Sequence, residues 1–267
     1  MIFPRLSTHL GLRDPVRPQL SPDADDQSAA ARVRRAQEAG FGAVFDNFLM
    51  ARGKDYRLAL ADAVREHDMA ITSFVHAPDL WDTPGWIDGS ALTDLAGSLD
   101  AARRCNIRHI MCVTAQGDDG FEIAARKFAD NLQRAGDLAG TADVTLCIEA
   151  THPAFAPGLM LERIEQALEI LALADHPHVG IAMDVGHVAM HGADPAAAIR
   201  LADRAIAQVQ VADVPGRVEP GAGTMDWMSI LSALTDIGYD GFLELEFEPA
   251  GGRDEMLTNL EVLGEWR

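Results

Sequence analysis

Short runs of β-branched and aliphatic residues recur along this chain, each followed by a longer stretch with apolar positions three or four residues apart. The first pattern suits a strand buried on both faces, and the second suits a helix with one apolar face. Strand-like runs occupy residues 3–10, 43–45, 70–75, 107–113, 144–148, 179–183, 205–211 and 241–247. Helical patterns occupy a stretch ending at Gly40, a typical helix-stopping residue, and then 55–67, 92–105, 119–138, 159–173, 195–202 and 227–235. Strict alternation of strand and helix predicts parallel βαβ units. About eight such units in 267 residues predict an α/β fold, a single (β/α)8 TIM barrel forming one domain over 1–267. An open doubly wound sheet is the alternative. Against it, no Gly-x-Gly-x-x-Gly follows the first strand, and no long linker divides the chain. The Pro/Gly-rich stretches at 78–89, 153–158 and 215–223 all follow strands, so in a barrel they become the βα-loops of the active face.

Charge narrows the partners. Forty-one Asp and Glu face 22 Lys and Arg, a formal net charge of −19, which disfavours nucleic acid and anionic membranes. Only Lys54 and Lys127 are lysines, and both fall in helical patterns, so a lysine-dependent aldolase is not expected. Cys105, Cys112 and Cys147 are odd in number and lack metal-type spacing, as expected of buried free thiols. The N-terminus has no signal-peptide layout and no run approaches 18 apolar residues, so a soluble cytoplasmic protein is the expectation. Barrels of this size often pair as homo-oligomers, but nothing in the sequence marks an interface.

Polar residues close four consecutive apolar strands. The fifth ends in Glu149, the sixth in Asp184 followed by Val185-Gly186-His187, the seventh carries Gln210, and the eighth carries Glu244 and Glu246. Intervals of 35, 26 and 36 residues separate Glu149, Asp184, Gln210 and Glu246, each close to one βα unit, so all four can meet at one level of the barrel mouth. Carboxylates gathered there need raised pKa values or a cation. Three carboxylates and an amide oxygen form a hard donor set that suits Mg²⁺ or Mn²⁺ better than zinc. Glu244 and Glu246 share a strand face by alternation, so register alone does not choose between them.

These strand ends carry a resemblance. Val209-Gln210-Val211-Ala212-Asp213-Val214-Pro215-Gly216-Arg217 with Glu219-Pro220-Gly221, Ile148-Glu149-Ala150, Asp184-Val185-Gly186-His187 and Glu246-Phe247-Glu248-Pro249 resemble the xylose isomerase-like barrel superfamily of sugar isomerases and epimerases. Within it the sequence looks most like the hydroxypyruvate isomerase branch, with the likeness clear over 140–267 and looser before. The resemblance implies that Glu149, Asp184, Gln210 and Glu246 hold a divalent metal. It also implies that Glu149 and Glu246 form the catalytic acid/base pair, and that His187 and Arg217 contact substrate. The sequence departs from the branch pattern at Val218, Thr224 and Glu248, and its third loop, Asp79-Leu80-Trp81-Asp82, lacks the branch's arginine. Those positions surround the substrate and not the metal.

The implied chemistry is isomerisation of a small 2-keto or 2-hydroxy sugar or acid through an enediolate. Arg217 could present a planar fork to a substrate carboxylate, or else pair with Glu219 or Asp213. His76 and His152, in βα-loops, are further candidates to line the substrate pocket, as is His9. Trp81 and Trp86 could wall off water or pack their loop. Asp46 and Asn47 close the second strand. A dehydratase or ketose 3-epimerase could use the same scaffold. A non-catalytic sugar-acid binding protein is less expected, as is an abasic-site endonuclease, which would need a histidine-rich site where Gln210 stands and a basic face.

Overall fold

A computed structural model gives the structure of the chain and describes residues 3–264 and Trp266. Its strand segments are β1 (Phe3–His9), β2 (Phe41–Phe45), β3 (Ala70–Ile71), β4 (Ser73–Val75), β5 (His109–Met111), β6 (Thr145–Glu149), β7 (Val179–Asp184), β8 (Ile206–Val211) and β9 (Leu243–Leu245). They pair in parallel in the order β3-β2-β1-β9-β8-β7-β6-β5-β4. The helices are α1 (Ala29–Glu38), α2 (Lys54–Glu66), α3 (Gly85–Asp88), α4 (Leu95–Cys105), α5 (Phe121–Gly140), α6 (Ile164–Ala174), α7 (Val185–Met190), α8 (Pro195–Ala202), α9 (Trp227–Asp236) and α10 (Arg253–Asn259).

The expected alternation is therefore present, but with nine strand segments where eight strands were expected. The third strand run breaks at Thr72. Upstream of it β3 pairs with β2, downstream β4 pairs with β5, and the Thr72 N–H donates to Val44 O at 2.9 Å. The two ends of the sheet order are thus one residue apart in sequence, and the sheet forms a nearly closed parallel α/β barrel.

Local signals place the helix starts. Ser28, Asp194 and Asp226 each accept a hydrogen bond from a backbone N–H in the first turn of α1, α8 and α9, and Pro195 opens α8, where its missing N–H costs nothing. The helix expected from 159 begins only at Ile164, because Gln166 Oε1 accepts the N–H groups of Glu162 and Arg163 and sets the start there. The longest helix, α5, buries Ala124, Phe128, Leu132, Ala135 and Ala139 along one stripe against the barrel. Full burial of a side chain such as Phe128 contributes about 1.5–3 kcal/mol.

A second, smaller apolar cluster is separate from the core between sheet and helices. It consists of Val75, Met111, Cys147 and Ala182 on four neighbouring strands, and fills the barrel interior. The three cysteines are free and buried, as expected. Strand alternation decides what lies above this plug. Two residues beyond Cys147 and Ala182 are Glu149 and Asp184, so both point inward at the C-terminal mouth.

Candidate active site

Four neighbouring strands converge on the mouth. Glu149 ends β6, Asp184 ends β7, Gln210 lies in β8, and Glu246 follows β9, with its N–H donating to Val211 O at 3.0 Å. All are buried or nearly so. Glu149, Asp184 and His187 offer donor atoms that lie within 4.8 Å of one another.

Asp184 explains the position of His187. Its side chain caps α7, accepting the His187 N–H at 2.8 Å, and the short helix turns the imidazole back over the strand ends. His187 Nδ1 accepts the backbone N–H of His152 at 3.2 Å. The neutral ring therefore carries its proton on Nε2, which faces Glu149 Oε1 at 3.6 Å and Asp184 Oδ2 at 4.0 Å. Burial lowers the His187 pKa to about 4, so the ring is neutral at physiological pH.

Arg217 is buried beside these groups. Its two outer nitrogens bind the two oxygens of Asp184 at 3.0 and 2.7 Å, one of them also donates to the Glu246 carbonyl at 2.9 Å, and the Glu246 carboxylate lies 3.6 Å away. The sequence offered Glu219 and Asp213 as its ion-pair partners, and it pairs with neither. Asp213 accepts from three backbone N–H groups and from Trp227 Nε1 at 2.8 Å, while Glu219 accepts from Ala250 N and Asn259 Nδ2.

The electrostatics are those of a crowded acid cluster. Burial, then the charge of Asp184, pushes Glu149 up from the ordinary carboxylate range. Burial, then Glu149 and Asp184, pushes Glu246 well up. Burial also penalises ionised Asp184, but the Arg217 guanidinium outweighs it and holds the group below its usual range. One level deeper, Glu244 is fully buried, accepts from the Thr72 hydroxyl and from Ser73 Oγ at 2.6 Å, and is raised by burial to about 7.

A divalent cation fits this donor set. Ionised Glu149, Asp184 and Glu246 against Arg217 leave two uncompensated negative charges, which one such ion would balance. Gln210 Oε1 and Glu246 Oε2 are buried oxygens with no hydrogen-bond partner, as free ligand atoms would be. The Glu149, Asp184 and His187 cluster could thus coordinate a metal ion, His187 doing so only through Nε2 and only after giving up the proton there.

A cavity of about 360 Å³ opens beside the cluster, lined by Leu12, Arg13, Asn47, Trp81, Phe155 and Glu246 among others. Trp81, a sequence candidate for walling off water, and Asn47 at the end of the second strand both line it, whereas sequence reasoning missed Arg13 and Phe155. The Pro/Gly-rich stretch at 153–158 was the available signal for Phe155. Its ring lies between two guanidiniums, with Arg13 Cζ 3.3 Å and Arg217 Cζ 4.4 Å from its centroid, and stands edge-on to His187. Other expected residues lie elsewhere. Both ring nitrogens of His76 are engaged, by Ser98 Oγ at 2.8 Å and Ala91 O at 2.7 Å, and its ring packs on Trp86, so it anchors the third loop and lines no part of the cavity. The His152 ring turns to His191, 4.3 Å away, and meets the cluster only through its backbone. His9 is buried with its ring edge-on to Phe45, and Asp46 pairs with Arg52.

Comparison with known proteins gives the family and the fold. Residues 33–265 match the family described as xylose isomerase-like TIM barrel. The 2-oxo-tetronate isomerase of Pectobacterium atrosepticum is 27% identical over 236 residues, covering 85% of this chain and 88% of that protein. The hydroxypyruvate isomerase of Escherichia coli is 27% identical over 158 residues, covering 58% and 61%. Among solved structures, an AP endonuclease of family 2 from Brucella melitensis superposes with a TM-score of 0.83 at 21% identity, covering 99% of this chain and 100% of that one, a likeness that speaks for the fold alone.

Proposed function

Because the chain belongs to the xylose isomerase-like TIM-barrel family and is related to hydroxypyruvate and 2-oxo-tetronate isomerases, we propose that it is a metal-dependent isomerase of a small 2-keto or 2-hydroxy sugar or acid. In this reading the barrel counts as a (β/α)8 barrel in one domain, β3 and β4 being halves of its third strand. The observation that supports the proposal is the gathering of Glu149, Asp184 and His187 donor atoms within 4.8 Å of one another at the mouth, with Gln210 Oε1 and Glu246 Oε2 buried on the next two strands and lacking hydrogen-bond partners.

Those four residues would hold Mg²⁺ or Mn²⁺, and the ion when bound supplies Lewis-acid polarisation of a carbonyl oxygen. Glu149 takes the proton from the hydroxyl-bearing carbon beside the carbonyl, and Glu246, first protonated from solvent, gives one to the carbonyl carbon. The hydroxyl proton passes to the former carbonyl oxygen as the new carbonyl forms, and the proton on Glu149 then returns to solvent. Burial and like charge raise both glutamates above the ordinary carboxylate range, which strengthens Glu149 as a proton acceptor. His187, held neutral with its proton on Nε2, donates to a substrate oxygen. Arg217, whose outer nitrogens are bound to Asp184 and the Glu246 carbonyl, orients Asp184 and does not grip substrate. Phe155, packed edge-on to His187, excludes water from above.

The test is turnover of hydroxypyruvate and 2-oxo-tetronate in D₂O with Mg²⁺ or Mn²⁺, followed by NMR. The expected result is a shifted carbonyl with deuterium incorporated at the acceptor carbon, lost on chelation by EDTA and reduced at least a hundredfold in Glu149→Gln. An unsaturated, UV-absorbing product would assign a dehydratase, and inversion of a centre without carbonyl migration would assign a 3-epimerase. No exchange with either compound would overturn the proposal.

A further inference from the structure

The cavity at the mouth has a chemically distinct outer end. Arg13, exposed on the loop after β1, lies with its guanidinium on the face of Phe155 and donates to the Phe155 carbonyl at 3.2 Å. Among the described residues no carboxylate stands within 4.0 Å of it, whereas Arg217 on the same ring is bound through both outer nitrogens to Asp184. Glu246 and Glu248 act on Arg13 only from farther off, so it is the cation of this cavity without a direct ion pair. Glu246 lines the same cavity, so a molecule a few carbons long can touch the acid cluster and Arg13 together. Asp82, on the wall with Trp81, repels an anion from its own side and leaves Arg13 as the favoured contact.

We propose that Arg13, laid on Phe155, recognises the carboxylate of the substrate and sets a preference for keto and hydroxy acids over neutral ketoses. The identity of the reacting end rests on the isomerase reading above. The assignment of the far end rests on the stack. Two parallel N–H donors match the two oxygens of a carboxylate. Holding the guanidinium plane on an aromatic face lowers the entropy lost when it takes that partner. A neutral ketose would leave this cation facing hydroxyls alone.

Steady-state kinetics on 2-oxo-tetronate and on its neutral counterpart erythrulose provide the test, in the metal-loaded wild type, Arg13→Gln and Arg13→Lys. The acid-over-neutral ratio of kcat/KM should fall at least tenfold in Arg13→Gln, with the loss carried by KM, and recover in part in Arg13→Lys. An unchanged ratio overturns the assignment. So does a wild-type preference for erythrulose 4-phosphate over the acid, because the anion recognised would then be a phosphate. A binding measurement separates this from failure of the isomerase reading. Calorimetry should show tartronate, a non-isomerising acid, bound at least tenfold more weakly by Arg13→Gln than by wild type, with glycerol as the neutral control. If the wild type turns over neither keto compound but the tartronate difference stands, the isomerase reading fails and Arg13 keeps its role. Equal binding of tartronate by both proteins removes that role whatever the turnover.

Discussion

Asp184 divides two oxygens among three donors: the N–H of His187 and both outer nitrogens of Arg217. Arg217 reaches it from a backbone with φ of +53°, a left-handed conformation that costs a non-glycine residue about 1–2 kcal/mol. The buried pair offsets that strain, so removing one partner should be expensive. Arg217→Ala is expected to destabilise the fold by about 3–5 kcal/mol, because it leaves Asp184 ionised and unmatched in the interior. Urea unfolding measures this, and a loss below about 1 kcal/mol would contradict it. Lysine should not rescue, since it lacks the two-pronged geometry. Glu244 gives a prediction in pH. Its pKa in the folded protein is raised by burial to about 7, so the folded state keeps a proton that the unfolded chain releases above its ordinary value near 4.5. Stability linked to this group is full below about pH 4.5 and declines as pH rises toward 7, by on the order of 3 kcal/mol in all. Thermal melts across pH 5–8 should show the decline in wild type and a flatter profile in Glu244→Gln, and parallel profiles would refute the linkage.

At the scale of elements, α7 is the piece that turns strand geometry into a site. It starts at the residue after Asp184, and its second residue, Gly186, lies against β8 and its loop. A Cβ there would come within 2.9 Å of Ala212 O and 3.1 Å of Arg217 Nη1. Gly186→Ala should therefore cost about 1–3 kcal/mol by crowding and displace Arg217 from Asp184, observable as a lower Tm together with lower kcat. A variant as stable and active as wild type would show that the contact is slack. None of α7 was visible as a pattern, since six residues are too few for a helical period to emerge. What could be read from sequence was the positions set by local periodicity, the strand-end residues Glu149, Asp184 and Gln210 and the alternation that sends them inward, whereas Glu244 and Glu246 share a face and only the family resemblance chose between them. Features set by distant contacts could not be read. Thr72 breaks its strand where its hydroxyl meets Glu244, 172 positions away, and Arg13 finds Phe155 across 142. His76 looked like pocket lining because it follows a strand, but its ring is captured by Ser98 and Ala91.

For the molecule as a whole, the net charge of −19 is not neutralised locally. Pairs such as Arg104–Asp100 and Arg126–Glu122 are more than half exposed and each adds little. Mutual repulsion of the surplus carboxylates should make the fold salt-sensitive. Its Tm is expected to rise as NaCl increases from about 10 to 200 mM, over which the Debye length shrinks from about 30 Å to below 10 Å. A flat or falling Tm by calorimetry would show that the surplus is already dispersed. The placement of the site along the chain has a further consequence. Every member of the acid cluster falls between residues 149 and 246, whereas the cavity wall draws on both parts of the chain, Leu12, Arg13, Asn47 and Trp81 from the early loops and Phe155, Leu159 and Glu246 from the later stretch. The proton-transfer groups are thus encoded in the later stretch alone, whereas the groups that face the substrate's far end are shared between the two. Recombination or redesign confined to the early loops could change which molecule is accepted while the later stretch keeps its proton-transfer apparatus intact.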